Sequence, residues 1–124
     1  MEFKIDTKPN YTVITPDSGD LSVNLAEVIR QKVAELIEKG SHNFVVDLQN
    51  ISSMDMAAGD LLHDMHHTVY NNTGSLVFSS PEDSVMQTLK QGQYHLSLNI
   101  SPTLIEAIDI ISMEVLERDL LGES

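Results

Sequence analysis

Apolar and polar positions alternate with two different periods along this chain, and the changes of period predict its secondary structure. Residues 2–7 alternate polar and apolar side chains, and residues 11–15 are rich in β-branched residues, so both segments are predicted strands. The Lys-Pro-Asn sequence at 8–10 predicts a turn that joins them as a hairpin. Residues 16–20 are expected to close that hairpin.

The first helical segment has signals at both ends. Asn24 is the expected N-cap, and Glu27 three residues later completes a capping-box pair. Gly40 is the expected stop signal. The helical spacing predicts one buried stripe, made of Leu25, Val28, Ile29, Val33, Leu36 and Ile37.

Three further helices are predicted. The second begins near Asp55, a good N-cap residue, and ends at the Asn-Asn-Thr-Gly sequence of 71–74. The third is short, with Ser80 as its cap and Pro81 in its first position. The fourth starts at residues 101–102 and runs to about Leu121.

Three apolar segments between these helices complete the set of strands. Residues 43–48 form a nearly continuous apolar run, which favours a central strand covered on both faces. Residues 75–79 predict another strand, and residues 96–100 alternate like a short edge strand. The order β-β-α-β-α-β-α-β-α predicts an α/β fold, a mixed four- to five-stranded sheet with about four helices, as one domain over residues 1–124.

The overall composition restricts the class of function. Acidic residues outnumber basic residues 19 to 7, and the formal net charge of −12 disfavours nucleic acids and anionic membranes. The chain has no cysteine, no apolar run of the roughly 20 residues that cross a bilayer, and no signal-peptide pattern at its N-terminus. We therefore expect a cytoplasmic protein that does not insert into membranes.

A motif follows the predicted central strand. Asp47-Leu48 is followed by a second aspartate, Asp55, eight residues after the first. This spacing, with the predicted order of elements, resembles the STAS domain family, the bacterial anti-sigma factor antagonists. The family continues after the second aspartate with Ser-Ser-Gly-Leu, and its first serine is phosphorylated by a partner kinase. Here the sequence continues with Met56, Ala57, Ala58, Gly59 and Asp60.

The resemblance implies a partner-binding surface made of Asp55, Met56, Ala57, Ala58, Gly59 and Asp60, with Met56 at the position of the family phosphoserine. It also implies a partner of a particular kind, an anti-sigma factor or a kinase-like regulator, bound without the usual phosphorylation switch. Asp60 complicates this picture, since its fixed negative charge, if it points outward, imitates part of a phosphorylated surface. The simpler alternative is that these residues only start a well-packed helix.

His63 and His67 suggest a different function, metal binding. Their spacing of four residues places both imidazoles on one face of the second helix, with acidic neighbours. Zinc is bound by such residues, but a site needs a third ligand. We favour a solvated polar face over a metal site. No cofactor is indicated.

Sequence patterns of catalysis are missing. Without cysteine there is no thiol nucleophile, and neither a Gly-x-Ser-x-Gly elbow nor a phosphate-binding Gly-x-x-x-x-Gly-Lys loop occurs. The chain is therefore predicted not to be an enzyme. The remaining alternative from the family resemblance is a STAS-like regulatory subunit of a transporter ATPase.

The last helix carries two apolar stripes, where one is enough to cover a sheet. The first is formed by Leu104, Ile108, Ile111 and Val115, and the second by Ile110, Met113, Leu116 and Leu120. The second stripe needs a loop of this chain, a second copy in a homodimer, or another protein to cover it, unless the early turns are simply buried all round.

Overall fold

The computed structural model describes residues 3–122. The elements follow one another as seven strands and four helices, with one 3-10 turn before the last strand. Their bounds are β1 Phe3–Thr7, β2 Thr12–Pro16, β3 Gly19–Leu21, α1 Val23–Glu38, β4 Asn43–Asp47, β5 Ile51–Met54, α2 Ala58–Asn71, β6 Ser75–Ser79, α3 Asp83–Gln91, the 3-10 turn Tyr94–Leu96, β7 Ile100–Ser101 and α4 Leu104–Gly122.

The main sheet has five strands in the order β1-β2-β4-β6-β7. The predicted hairpin is confirmed, since β1 and β2 pair antiparallel with Ile5 opposite Ile14. The other neighbours pair parallel. The sheet is therefore mixed, as predicted, and β4 and β6 lie inside it. Both strands are almost entirely buried, which explains why their sequences are continuous apolar runs.

Helices cover both faces of this sheet. Alternate residues of a strand point to opposite faces, so Val46 faces one layer and Val45 the other. On the first face, α1, α2 and α3 pack over a core that includes Ile14, Phe44, Val46, Leu76 and Phe78. On the second face, α4 packs Ala107 and Ile111 against Val13, Val45 and Val77. The early part of α2 and the outer side of α4 thus belong to opposite layers.

A second, two-stranded sheet is absent from the prediction. β3 and β5 pair parallel, although residues 16–20 were expected to be only a turn. Gly19 has a φ of +82°, a backbone conformation that glycine adopts without strain. The Ser52 hydroxyl donates to the Gly19 carbonyl at 3.0 Å, and the Asp55 amide donates to Leu21 O at 3.0 Å. This small sheet determines where the chain enters the segment after Asp55.

Three predicted helix starts are wrong. The N-cap of α1 is Ser22 rather than Asn24, and its hydroxyl accepts from the Leu25 amide at 3.1 Å. Ser80 has a φ of +57°, so α3 begins later than predicted, at Asp83. The last helix begins at Leu104, because residue 101 still pairs in the sheet.

Two further predictions are corrected inside the elements. Val28 was assigned to the buried stripe of α1 and is 44% exposed. The predicted strand at 96–100 is shorter and lies later, because residues 94–96 form the 3-10 turn and only Ile100 and Ser101 pair. The stop of α1 is confirmed, since the helix ends at Glu38 and Gly40 has a φ of +103°.

Candidate partner-binding surface at the start of α2

The segment from Asp55 to Asp60 leads from β5 into α2. The Asp55 carboxylate accepts from the Ala57 amide at 3.3 Å, and its carbonyl accepts from Ala58 at 2.9 Å. Asp55 therefore stabilises the turn that precedes the helix. It is not the N-cap that the sequence predicted, because α2 begins at Ala58 and the cap position is Ala57.

Four of the six predicted surface residues lie on the surface. Asp55, Met56, Ala57 and Asp60 are exposed, and the Met56 side chain is 38% exposed. Ala58 and Gly59 are buried, so a partner cannot touch their side chains directly. Ala58 instead joins the core beneath α2. Met56 thus lies at the surface, just before a helix start.

Tyr94 is the residue of this surface that sequence analysis missed. Its ring lies directly over Gly59 and Gly92, where a Cβ added to either glycine would come within 2.1 Å and 2.3 Å of Tyr94 Cε2. The Met56 sulfur is also close to Gly92, 2.8 Å from the position of such a Cβ. Two glycines distant in sequence thus leave room for one aromatic ring. No local pattern could have indicated this contact.

The charge of Asp60 is engaged within the protein. The Tyr94 hydroxyl donates a hydrogen bond to Asp60 Oδ1 at 2.8 Å, and this bond raises the pKa of Tyr94 above its ordinary value. Asp60 lies in the first turn of α2, where the helix dipole favours a negative charge. The carboxylate is therefore directed toward Tyr94.

The serines before this segment support the small sheet. The Ser53 hydroxyl donates to Asp20 Oδ1 at 2.9 Å, and Ser52 donates to β3 as described above. Ser84 of α3 donates to the Ser52 carbonyl at 2.5 Å. Side chains from β3, β5 and α3 thus brace the turn at Asp55 from one side.

The two histidines of the predicted metal site do lie together, with ring centroids 4.7 Å apart for His63 and His67. His63 is half-buried, so this face is less solvated than the sequence indicated. Within residues 3–122, no group of three histidine or acidic side chains is placed to hold a metal ion.

His66, between these two histidines, has a different environment. It contacts the Tyr70 ring at a centroid distance of 4.5 Å, and its Nδ1 is buried without a hydrogen-bond partner in the described part of the chain. Burial lowers the pKa of His66, and the charges of His67 and His63 lower it further. Tyr70 in turn donates a hydrogen bond to Glu114 of α4 at 2.8 Å.

The two stripes of α4 differ in their surroundings. Ile111 is buried against the sheet, with Leu104 and Val115 packed beside it. Ile110 is partly buried as well. Met113, Leu116 and Leu120 are 62%, 59% and 66% exposed. Association of two copies through this second stripe stays a prediction.

A mixed sheet covered by helices on both faces, with an exposed turn-to-helix segment at one end, defines an α/β domain suited to binding other proteins. The STAS domain family matches residues 2–107, and the chain therefore belongs to the STAS domain family. No helix within residues 3–122 has the length and apolar character to cross a membrane.

Solved structures support the fold. A putative anti-sigma factor antagonist from Thermotoga maritima is 17% identical, with a TM-score of 0.78 over 89% of this chain and 94% of that protein. SpoIIAA of Bacillus in its unphosphorylated form is 19% identical, with a TM-score of 0.73 over 89% of this chain and 96% of SpoIIAA, and it also has a solved phosphorylated form. SLC26A9 is 18% identical, with a TM-score of 0.67 over 91% of this chain but only 21% of that protein. These likenesses concern the fold.

Proposed function

We propose that residues 1–124 act as one non-enzymatic interaction module, which binds an anti-sigma factor or a kinase-like regulator without a serine phosphorylation switch. The observation that carries this proposal is Met56, which is exposed in the turn after Asp55. The STAS motif places its phosphorylated serine at this position. Asp55, Met56, Ala57 and Asp60 form the contact surface, while Ala58 and Gly59 support it from beneath.

The physical basis is the charge that phosphorylation adds. A phosphate carries about −1.5 to −2 charges near neutral pH, and an interface that excludes water must pair or desolvate them. A methionine thioether cannot accept a phosphoryl group. It offers instead a flexible apolar side chain that adapts to different partner surfaces. The module is therefore permanently competent to bind.

Asp60 supports the unphosphorylated interpretation. Its carboxylate carries one charge and accepts from the Tyr94 hydroxyl. A phosphate would present more charge and three acceptor oxygens. The hydroxyls of Ser52 and Ser53 lie close by in sequence but already donate within the small sheet. We expect neither serine to take over the role of the absent one.

The test is a binding titration with each purified anti-sigma factor kinase encoded in the same genome. We expect the native protein to bind one of them, and Met56→Asp to weaken binding by about tenfold or more, because it adds an unpaired charge to the interface. Met56→Ser should bind until ATP is added, and then lose affinity as it is phosphorylated. Ile5→Asp is the matched control, since Ile5 is 37% exposed on β1 at the edge of the sheet.

Two results contradict the proposal. One is incorporation of phosphate into the native protein at Ser52 or Ser53. The other is a Met56→Asp variant that binds as tightly as the native protein, because the contact surface would then lie elsewhere. Circular dichroism of both variants checks that each remains folded.

A second candidate is a regulatory subunit of a transporter ATPase. The match to a segment of SLC26A9 favours it, since that protein shares the fold over most of this chain. Affinity purification of the chain from its native cells separates the two candidates. A stoichiometric ATPase of a transporter supports the second, and an anti-sigma factor supports the first.

A further inference from the structure

The last helix continues beyond the part of the chain that matches the STAS family. The match ends at residue 107, and α4 extends to Gly122, about four more turns. This extension is attached to the body by polar contacts. Glu114 accepts from Tyr70 at 2.8 Å, and Arg118 donates to Ser75 Oγ and to Asn43 Oδ1, both at 2.9 Å. Its inner side is therefore held in place, and its outer side has a defined orientation.

The outer side presents an apolar stripe. Met113, Leu116 and Leu120 are separated by three and four residues, so they lie on one face of the helix. All three are more than half exposed. This outer stripe (Met113, Leu116 and Leu120) is about 10 Å long, as expected from a rise of roughly 1.5 Å per residue. It matches two to three turns of an amphipathic partner helix.

The charges around the outer stripe are acidic. Glu106, Asp109 and Glu117 are exposed on the same side of α4, and Asp119 is exposed nearby. The single basic residue of the helix sequence, Arg118, is directed inward by its bonds to Ser75 and Asn43. A second copy of the chain would bring acidic groups against acidic groups, and such like-charge contacts are costly. A basic partner would gain from the same arrangement.

We propose that the outer stripe of α4 docks a basic amphipathic helix of a partner protein. Apolar residues of that helix would cover Met113, Leu116 and Leu120, and its lysine or arginine residues would pair with Asp109 and Glu117. Because α4 lies on the opposite face of the sheet from α2, this surface is separate from the one around Met56. The proposal does not depend on the function proposed for that other surface.

The probe is a synthetic leucine-lysine helix with an apolar stripe, measured by fluorescence anisotropy against the native protein. We expect binding that weakens severalfold as salt is raised, because part of it is electrostatic. A double variant, Leu116→Ser with Leu120→Ser, should weaken binding by about tenfold or more. Leu96→Ser is the matched control, an equally exposed leucine of the 3-10 turn, and should bind like the native protein.

Two more comparisons separate the apolar and the charged contributions. Replacing the peptide's lysines with glutamates should abolish binding, and Asp109→Asn with Glu117→Gln should weaken binding and reduce its salt dependence. A scrambled peptide of equal composition should bind more weakly, because its apolar residues no longer share one face. Circular dichroism of each variant confirms that the fold is retained.

Three results overturn the proposal. If the scrambled peptide binds as well as the amphipathic one, the net charge of the protein alone explains the attraction. If the double leucine variant binds like the native protein, the outer stripe is not the site. If sedimentation shows a native dimer that the same leucine changes dissociate, a second copy of this chain covers the stripe.

Discussion

Replacing Gly59 with alanine tests the packing on which the surface at the start of α2 depends. Gly59 is the second residue of α2, and the Tyr94 ring lies where its Cβ would be, with Cε2 only 2.1 Å away. Carbon atoms in contact are normally about 3.5–4.0 Å apart, so the Tyr94 ring must move by more than 1 Å or rotate away. The same movement breaks its hydrogen bond to Asp60.

The free energy of this change has two opposing parts. Alanine is favoured over glycine within a helix by about 1 kcal/mol. Displacing Tyr94 costs roughly 1 kcal/mol for the hydrogen bond to Asp60 and roughly 1–2 kcal/mol for lost ring contacts. We therefore expect Gly59→Ala to destabilise the protein by about 1–2 kcal/mol. In a Tyr94→Ala background the clash is absent, and Gly59→Ala should instead stabilise by up to about 1 kcal/mol.

Urea unfolding followed by circular dichroism measures all four members of this double-mutant cycle. The expected coupling between the two positions is about 2–3 kcal/mol, well above the error of such measurements. Tyr94→Phe is the control for the hydroxyl, because it keeps the ring and removes only the bond to Asp60. If Gly59→Ala has the same effect in both backgrounds, Tyr94 does not pack on Gly59 and the description of this surface is wrong.

Three further predictions concern other parts of the fold. Gly74→Ala should cost about 3 kcal/mol or more in urea unfolding, because its Cβ would lie 1.9 Å from the His42 carbonyl oxygen; Gly40→Ala, with a φ of +103° but open space, should cost about 1 kcal/mol, and equal costs would contradict the clash. Burial lowers the pKa of His66, so the folded protein resists protonation there and loses stability as pH falls below the ordinary value of 6.5; unfolding titrations should show a smaller loss for His66→Gln, and an unchanged pH profile would refute the assignment. Burial and its hydrogen bond raise the pKa of Tyr70 to about 12, so Tyr70→Phe should remove the last step of a spectrophotometric titration rather than one near pH 10.

The fold was predictable where the sequence pattern reflects burial. The apolar runs of β4 and β6 and the alternation in β1 are direct consequences of the sheet, and all three strands occur within a residue or two of the predicted bounds. β3 and β5 were missed because they are short, and most of their residues are polar or exposed. Their pairing arises from contacts between distant segments, which no local pattern records.

The candidate site was only partly predictable for the same reason. The position of Met56 and Asp60 follows from the family motif and from the start of a helix. The burial of Ala58 and Gly59, the displaced helix cap and the contact with Tyr94 depend on how α2 packs against the turn after α3. That packing joins residues more than 30 positions apart. Sequence reasoning from neighbouring residues cannot reach such a contact.

The parts that hold the turn at Asp55 come from four separate stretches: β3, β5, Ser84 and Tyr94. During synthesis on the ribosome, the first of these emerges about 75 residues before the last. A nascent chain therefore cannot display this surface until three quarters of it has been made. A partner that recognises the surface responds to finished molecules and ignores fragments, so premature signalling by incomplete chains is prevented by the architecture itself.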